Sequence, residues 1–314
     1  MSSVQPWLTT APSALDYFRT LVARDAGLPL LEAGISIAQD AEPQLDIQAV
    51  LAEVEALAEV LRRRLPSDAP SLHKLQRLNH YFFQDLGFAG NLNHYYDPNN
   101  SHIHHVLRTR RGIPITLAVL YIEMAQHIGL RAYGISFPGH FLVKVVLNHG
   151  DQRGEVVVDP FTGRSLSRET LDDMLAPYKQ QHIELERAQI PLAFFLRSAS
   201  SRDILARMLR NLKEIHTREQ QWSALLAVSN RLVVLLPDVL EERRDRALPL
   251  EAMGYLSQAA DDLQAYWDEW GAQNDPATQT AVQTALLARL NALRQGQSQH
   301  VNNTDNDPSG ATST

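Results

Sequence analysis

The chain has 314 residues, 44% hydrophobic and 21% charged, a globular balance with length enough for two domains. A formal net charge of −7 excludes the strongly basic surface that nucleic acid or an anionic membrane would need. The absence of cysteine removes disulfides, thiolate metal sites and any thiol nucleophile, and fits a reducing compartment.

Residues 1–12 are polar, lack the apolar run of a signal peptide and are expected to be flexible. No stretch approaches the run of apolar residues that spans a bilayer, so a cytoplasmic protein is expected. Ser13 is placed to cap a helix over 14–26 that Gly27 ends. A second helix is expected over 31–41, before Pro43. Over 45–65, Ile47, Val50, Leu51, Val54, Leu57, Ala58 and Leu61 recur with the helical period. Beyond Pro66 and Pro70 the helical pattern resumes over 72–86. Residues 87–101 read as a loop in which Asn91, Tyr95 and Asp97 hydrogen-bond the loop backbone and close over a cleft.

Pro114 suits the first turn of a helix that runs to His127 and stops at Gly129. Strands are expected at 131–136, 140–147 and 155–159, with Asn148-His149-Gly150-Asp151 as a hairpin turn. Helices resume at Arg168, and 191–295 reads as almost wholly helical. After Gly296 the chain is polar without an apolar period, the pattern of a disordered tail. Ala247, Leu250, Ala259, Leu263 and Tyr266 fall where a tetratricopeptide repeat places its small and bulky packing residues. The preceding unit, 206–237, offers Leu209, Leu212, Leu225 and Leu232 but Lys213 where a small residue belongs. The competing pattern is a plain helical bundle.

The order of the central elements carries the chemistry. A buried helix is followed by His140 at the start of a strand and by Asp159 at the end of the next. Transglutaminase-like and papain-like enzymes lay out Cys, His and Asp in that order. There the thiol starts the helix, where the dipole and an imidazolium lower its pKa, while His acts as base and Asp orients it. At 100° per residue, Thr116, Glu123 and His127 share one polar stripe, whereas Pro114, Ala118, Tyr121 and Ala125 lie on the face expected to press on the sheet. The place of the thiol therefore falls to Pro114 or Ile115. Thr116, the substitute nucleophile, points away. Taken singly, His140 is a half-buried histidine beside a glycine and Asp159 a helper of its turn. If their strands are antiparallel neighbours they form a remnant pair. His102, His104 and His105, with His94 nearby, cannot all meet one ion from one regular element and read as loop surface. Arg108, Arg110 and Arg111 read as a solvated or salt-bridged face. There is no phosphate loop or dinucleotide fingerprint, so no cofactor and no metal are expected.

Together, NLNHYYDPNN at 91–100, RRGIPITL at 110–117, PGHFLV at 138–143 and VDPF at 158–161 resemble the SirB-type proteins. These are bacterial proteins with a transglutaminase-like domain followed by a tetratricopeptide tail. AQDAEPQLD at 38–46, NLK at 211–213 and ERRDR at 242–246 are similar as well. The resemblance implies an α+β fold: over 13–190 a helical lead-in and a papain-like core of helix plus antiparallel sheet, over 191–295 an α-helical repeat domain, and over 296–314 a disordered tail. The family takes its name from an association with invasion-gene regulation and has no agreed activity, and a related domain occurs in an F-box protein. The resemblance thus implies a pseudoenzyme that scaffolds or regulates by binding a protein or peptide, without nucleic acid or membrane. The alternative is a thiol-independent amide or ester hydrolase, or an acyl transferase, in which His140 and Asp159 provide a general base.

Overall fold

The structure, a computed structural model, describes residues 12–149, 152–182, 189–273 and 280–304. The chain divides into two compact units, one up to Ile215 and one from His216.

The first unit opens with helices whose ends are set by side-chain caps. Ser13 Oγ accepts from Asp16 N at 3.1 Å and starts α1, Ala14–Leu21. This helix stops short of the expected 26. Helix α2, Leu30–Ser36, tightens into a 3-10 turn over Ile37–Asp40. Asp46 Oδ1 accepts from Ala49 N at 3.0 Å and caps α3, Ile47–Arg63, which buries the anticipated Val50, Val54, Ala58 and Leu61. Helix α4, Ser71–Asn79, widens into a π-helix over His80–Asp85, where Tyr81 and Phe82 are buried.

The loop expected over 87–101, and the stretch that follows it up to Gly112, hold more structure. Strand β1, Ala89–Gly90, pairs in parallel with β2, Arg111–Gly112. Between them lie a 3-10 turn, Pro98–Ser101, and helix α5, Ile103–Thr109. Ile103, Val106 and Leu107 give α5 its buried face, at helical spacing between the histidines. Arg110 ends it in the left-handed region, at φ 58°.

Helix α6 covers Pro114–His127 as expected, but its burial is not two-faced. Ten of its fourteen residues are buried, because it packs against β3, Arg131–Ile135, and β4, Leu142–His149, and also against α3. Tyr121, expected to face the sheet, packs instead on Phe82 and Phe83, with centroids 5.4 and 5.9 Å away, and donates to Asn79 Oδ1 at 2.5 Å.

Four antiparallel strands run in the order β3-β4-β5-β6, with β5 at Gln152–Asp159 and β6 at Arg164–Leu166. Strand β6 was not anticipated; it is short and carries little apolar signal. The hairpin residues Gly150 and Asp151 lie outside the described residues. Helix α7, Arg168–Gln181, and α8, Leu192–Phe195, supply Leu171, Leu175 and Leu192 to a core with Ile135, Phe137, Leu142 and Val157.

The boundary expected at 190/191 falls instead at Ile215. Leu192 belongs to the sheet core, and Ala199 N donates to Gly134 O at 2.8 Å. Helix α9, Ser201–Arg218, brings Ile204 to within 3.0 Å of where a Cβ on Gly134 would stand. A helical sequence pattern does not tell which core the helix serves.

The second unit continues with α10, Trp222–Leu235, α11, Leu240–Ala252, α12, Leu256–Gln273, and α13, Ala281–Thr304. Ala247, Leu250, Ala259 and Leu263 are buried in one core with Ala260, Leu290 and Leu293. Tyr266 is buried with Arg244 over its ring, 5.5 Å to the centroid. Helix α13 continues past Gly296 to Thr304 where a disordered tail was expected. Residues 1–11 and 305–314, also expected to be flexible, lie outside the described residues. Among the described residues no helix is long and apolar enough to cross a membrane.

Candidate functional site

The start of α6 is fixed by the β1–β2 pairing. Asn91 N donates to Gly112 O and Gly90 N to Phe161 O, both at 3.0 Å, so the strand pair, the helix and the turn after β5 meet at one point. Gly90 is required there, since a Cβ would stand 2.2 Å from the Phe161 ring. Pro114 takes the first helical position. Thr116 is fully buried, and its hydroxyl has no hydrogen-bond partner. Further along the same helix, His127 Nδ1 lies 3.5 Å from Glu123 Oε1. Burial pushes the Glu123 carboxyl above its usual range, and His127 opposes that rise.

His140 and Asp159 do stand at the ends of antiparallel neighbours. Val143 pairs with Val158, which sets Asp159 beside Leu142 and His140 two residues before it. No hydrogen bond or ion pair joins the two side chains. Asp159 Oδ1 accepts from Phe161 N at 2.9 Å, and Oδ2 accepts from Thr162 Oγ1 at 2.8 Å. Both carboxylate oxygens thus brace the turn that Gly163 closes at φ 75°. His140 is exposed, and its backbone N donates to Phe137 O at 3.1 Å across the turn containing Gly139.

The loop before α6 is held from inside. Asn100, 3% exposed, accepts from Asn91 Nδ2 at 2.9 Å and donates to His94 O and Tyr95 O. Asn91 Oδ1 in turn accepts from His94 N, and Asp97 caps the following 3-10 turn through Asn99 N. Asn91 and Asp97 thus hydrogen-bond the loop backbone, whereas the Tyr95 ring packs edge-on against Tyr96 and Phe161.

The transglutaminase-like superfamily profile matches residues 48–210, and a tetratricopeptide-repeat profile matches 212–289. The chain belongs to the transglutaminase-like superfamily. It is 37% identical to a UPF0162 protein of Xylella fastidiosa over 77% of this chain and 84% of that one. It is 26% identical to a UPF0162 protein of Vibrio cholerae over 85% and 93%. F-box only protein 21 of Pongo abelii is 29% identical over 36% of this chain and 22% of its own length. No solved structure matches the chain.

In this transglutaminase-like unit the histidine cluster is not simple loop surface. His102 is buried, and His104 Nε2 lies 3.0 Å from Glu42 Oε1. That hydrogen bond holds the Glu42 carboxyl below its usual range. Burial, with Arg108 next, pushes His105 down. His94 is exposed on the separate loop. Among the described residues no three His, Asp or Glu side chains converge as metal ligands would. Of the arginines expected on a solvated face, Arg108 and Arg111 are exposed, whereas Arg110 is half-buried. Arg110 lies over Phe88, 4.8 Å to the centroid, and Arg111 Nη1 donates to Gly87 O at 2.7 Å. Sequence patterning gave no place to Arg207 of α9. Its Nη1 donates to Ser136 Oγ at 2.8 Å and reaches Phe137 O at 3.5 Å, the same carbonyl that His140 N uses.

Proposed function

We propose that this is a SirB-type pseudoenzyme of the cytoplasm that acts as a regulatory or scaffolding protein-interaction module, capturing a protein or peptide through its tetratricopeptide unit. The observation that carries the non-catalytic part is the state of Asp159. An orienting carboxylate must spend an oxygen on the histidine, and both of its oxygens accept from its own turn instead. The missing thiol and Pro114 at the helix start point the same way. Stacked helix pairs present a surface suited to extended peptides or partner helices, which supports the interaction role.

Affinity purification of the full chain from its native host tests this. A captured protein is expected to be retained by His140→Ala and lost from a chain lacking residues 216–314. Turnover of an amide or ester substrate that vanishes in His140→Ala would overturn the reading in favour of a His140-based hydrolase.

A further inference from the structure

A pocket of about 480 Å³ in the first unit is lined by the start of α1 and by the turn that leads into α3. Pro12, Pro43 and Leu45 give it apolar walls, and Tyr17, Gln39 and Asp46 give it polar ones. Each of these polar residues has acceptor capacity left over. Asp46 Oδ1 caps α3 through Ala49 N, and Oδ2 has no partner among the described residues. Tyr17 donates its hydroxyl proton to Glu32 Oε1 at 2.5 Å, which leaves its own oxygen able only to accept. Burial and the Glu32 carboxylate push that phenol up to about 12, so the hydroxyl keeps its proton. Glu32 Oε1 also accepts from Gln48 Nε2 at 3.4 Å, which ties the two sides of the pocket together. Gln39 Oε1 is shut off from water and has no hydrogen-bond partner, a cost that a donor supplied by a ligand removes. Against these acceptors stands no cation. Among the described residues no Lys or Arg lines the pocket, and 25–61 contain none, while Glu32, Asp40, Glu42 and Asp46 all fall there. An acidic pocket rich in acceptors and walled by flat apolar groups fits a cation with several N–H donors. A guanidinium suits it better than an ammonium, because it is planar and weakly hydrated and spreads its donors along a fork toward acceptors on separate elements.

We propose that this pocket binds a guanidinium on an alkyl stem, with Asp46 Oδ2 as its counter-ion, Tyr17 Oη and Gln39 Oε1 as further acceptors, and Pro12, Pro43 and Leu45 against the stem. The guanidinium can come from an arginine side chain of a partner or from a free alkylguanidine. The site lies wholly within the first unit and is independent of partner capture by the second.

Two-dimensional NMR of the full chain tests it, following the backbone amides of Tyr17, Gln39 and Gln48. N-acetyl-arginine N-methylamide stands for the side chain and butylguanidine for the free compound. N-acetyl-citrulline N-methylamide keeps the shape without the charge, and N-acetyl-lysine N-methylamide keeps the charge without the fork. Saturable shifts in the millimolar range are expected with one or both guanidinium probes. Binding should be at least about tenfold weaker with the citrulline probe and severalfold weaker with the lysine probe. Which guanidinium binds tells the source. Asp46→Asn preserves the helix cap, since asparagine caps as well as aspartate, and should weaken binding about tenfold. Gln39→Met keeps the bulk without the acceptor and should weaken binding severalfold. Equal binding of the citrulline or the lysine probe, no saturable shift with either guanidinium, or unchanged binding in Asp46→Asn overturns the proposal. If a variant fails to fold, the comparison of probes on the unaltered chain decides alone.

Discussion

Asn100 and Thr116 are both buried polar residues, and they make opposite predictions. Asn100 satisfies three groups of the loop, so Asn100→Ala strands a part-buried amide donor and two carbonyls. A loss of about 2 kcal/mol is expected in urea unfolding of the first unit. Thr116 contributes no hydrogen bond. Thr116→Val keeps the shape and removes a buried orphan hydroxyl, so a gain of about 1 kcal/mol is expected in the same measurement. A loss there would mean that the hydroxyl has a role after all. The contrast also bounds what sequence can tell at this scale. Asp159 as the brace of its turn follows from Asp-Pro-Phe-Thr-Gly itself, since Asp before such a turn bonds its own backbone. Arg207 does not follow from anything local, because its partners Ser136 and Phe137 lie far back in the chain.

Periodicity placed the elements well where a segment is long and serves one core. Helix α3 and helix α6 sit where their spacing puts them. It failed for α5, a seven-residue helix whose apolar positions are hidden among histidines, and for the three-residue β6. Helix α5 also carries a pH response. His105 is held below its ordinary value by burial and by Arg108 and His104, with Asp97 and Glu42 acting in the other direction. The folded state therefore binds fewer protons than the unfolded chain below about pH 6.5, so stability falls as the pH drops through that value. Below the ordinary carboxylate range Glu42 adds to the loss, because its pKa is lowered by His104. Unfolding midpoints taken between pH 7.5 and pH 5 should show a smaller slope in His105→Gln. At the junction of β1 and β2, Gly90→Ala drives a methyl into the Phe161 ring. About 1–3 kcal/mol should be lost, and the Tyr95 ring resonances should move with Phe161.

The two cores of the molecule were legible to different degrees. The repeat positions of the second unit were, since Ala247, Leu250, Ala259 and Leu263 alternate small and bulky at helical spacing and do pack together. Leu263→Ala should cost that unit about 2–5 kcal/mol, read as lost amide protection in α11 and α12. The extent of the first unit was not legible, because α8 and the first part of α9 look like more of the helical tail yet pack on the sheet. Pattern reports that a face is apolar, and only the fold reports what covers it.

Helix α6, enclosed by α3 and the sheet, has a consequence in time. Exposed only at Gln126 and His127 in its last turn, the helix can fray there but cannot detach while its neighbours stay in place. Its inner amides therefore exchange with solvent when the whole unit opens, and their slowest rates become a clock for global unfolding. The same enclosure means that α6 cannot be added to a finished shell. The helix and at least one of its flanking layers must come together in the same step, which makes this segment the natural centre of the first unit's folding nucleus.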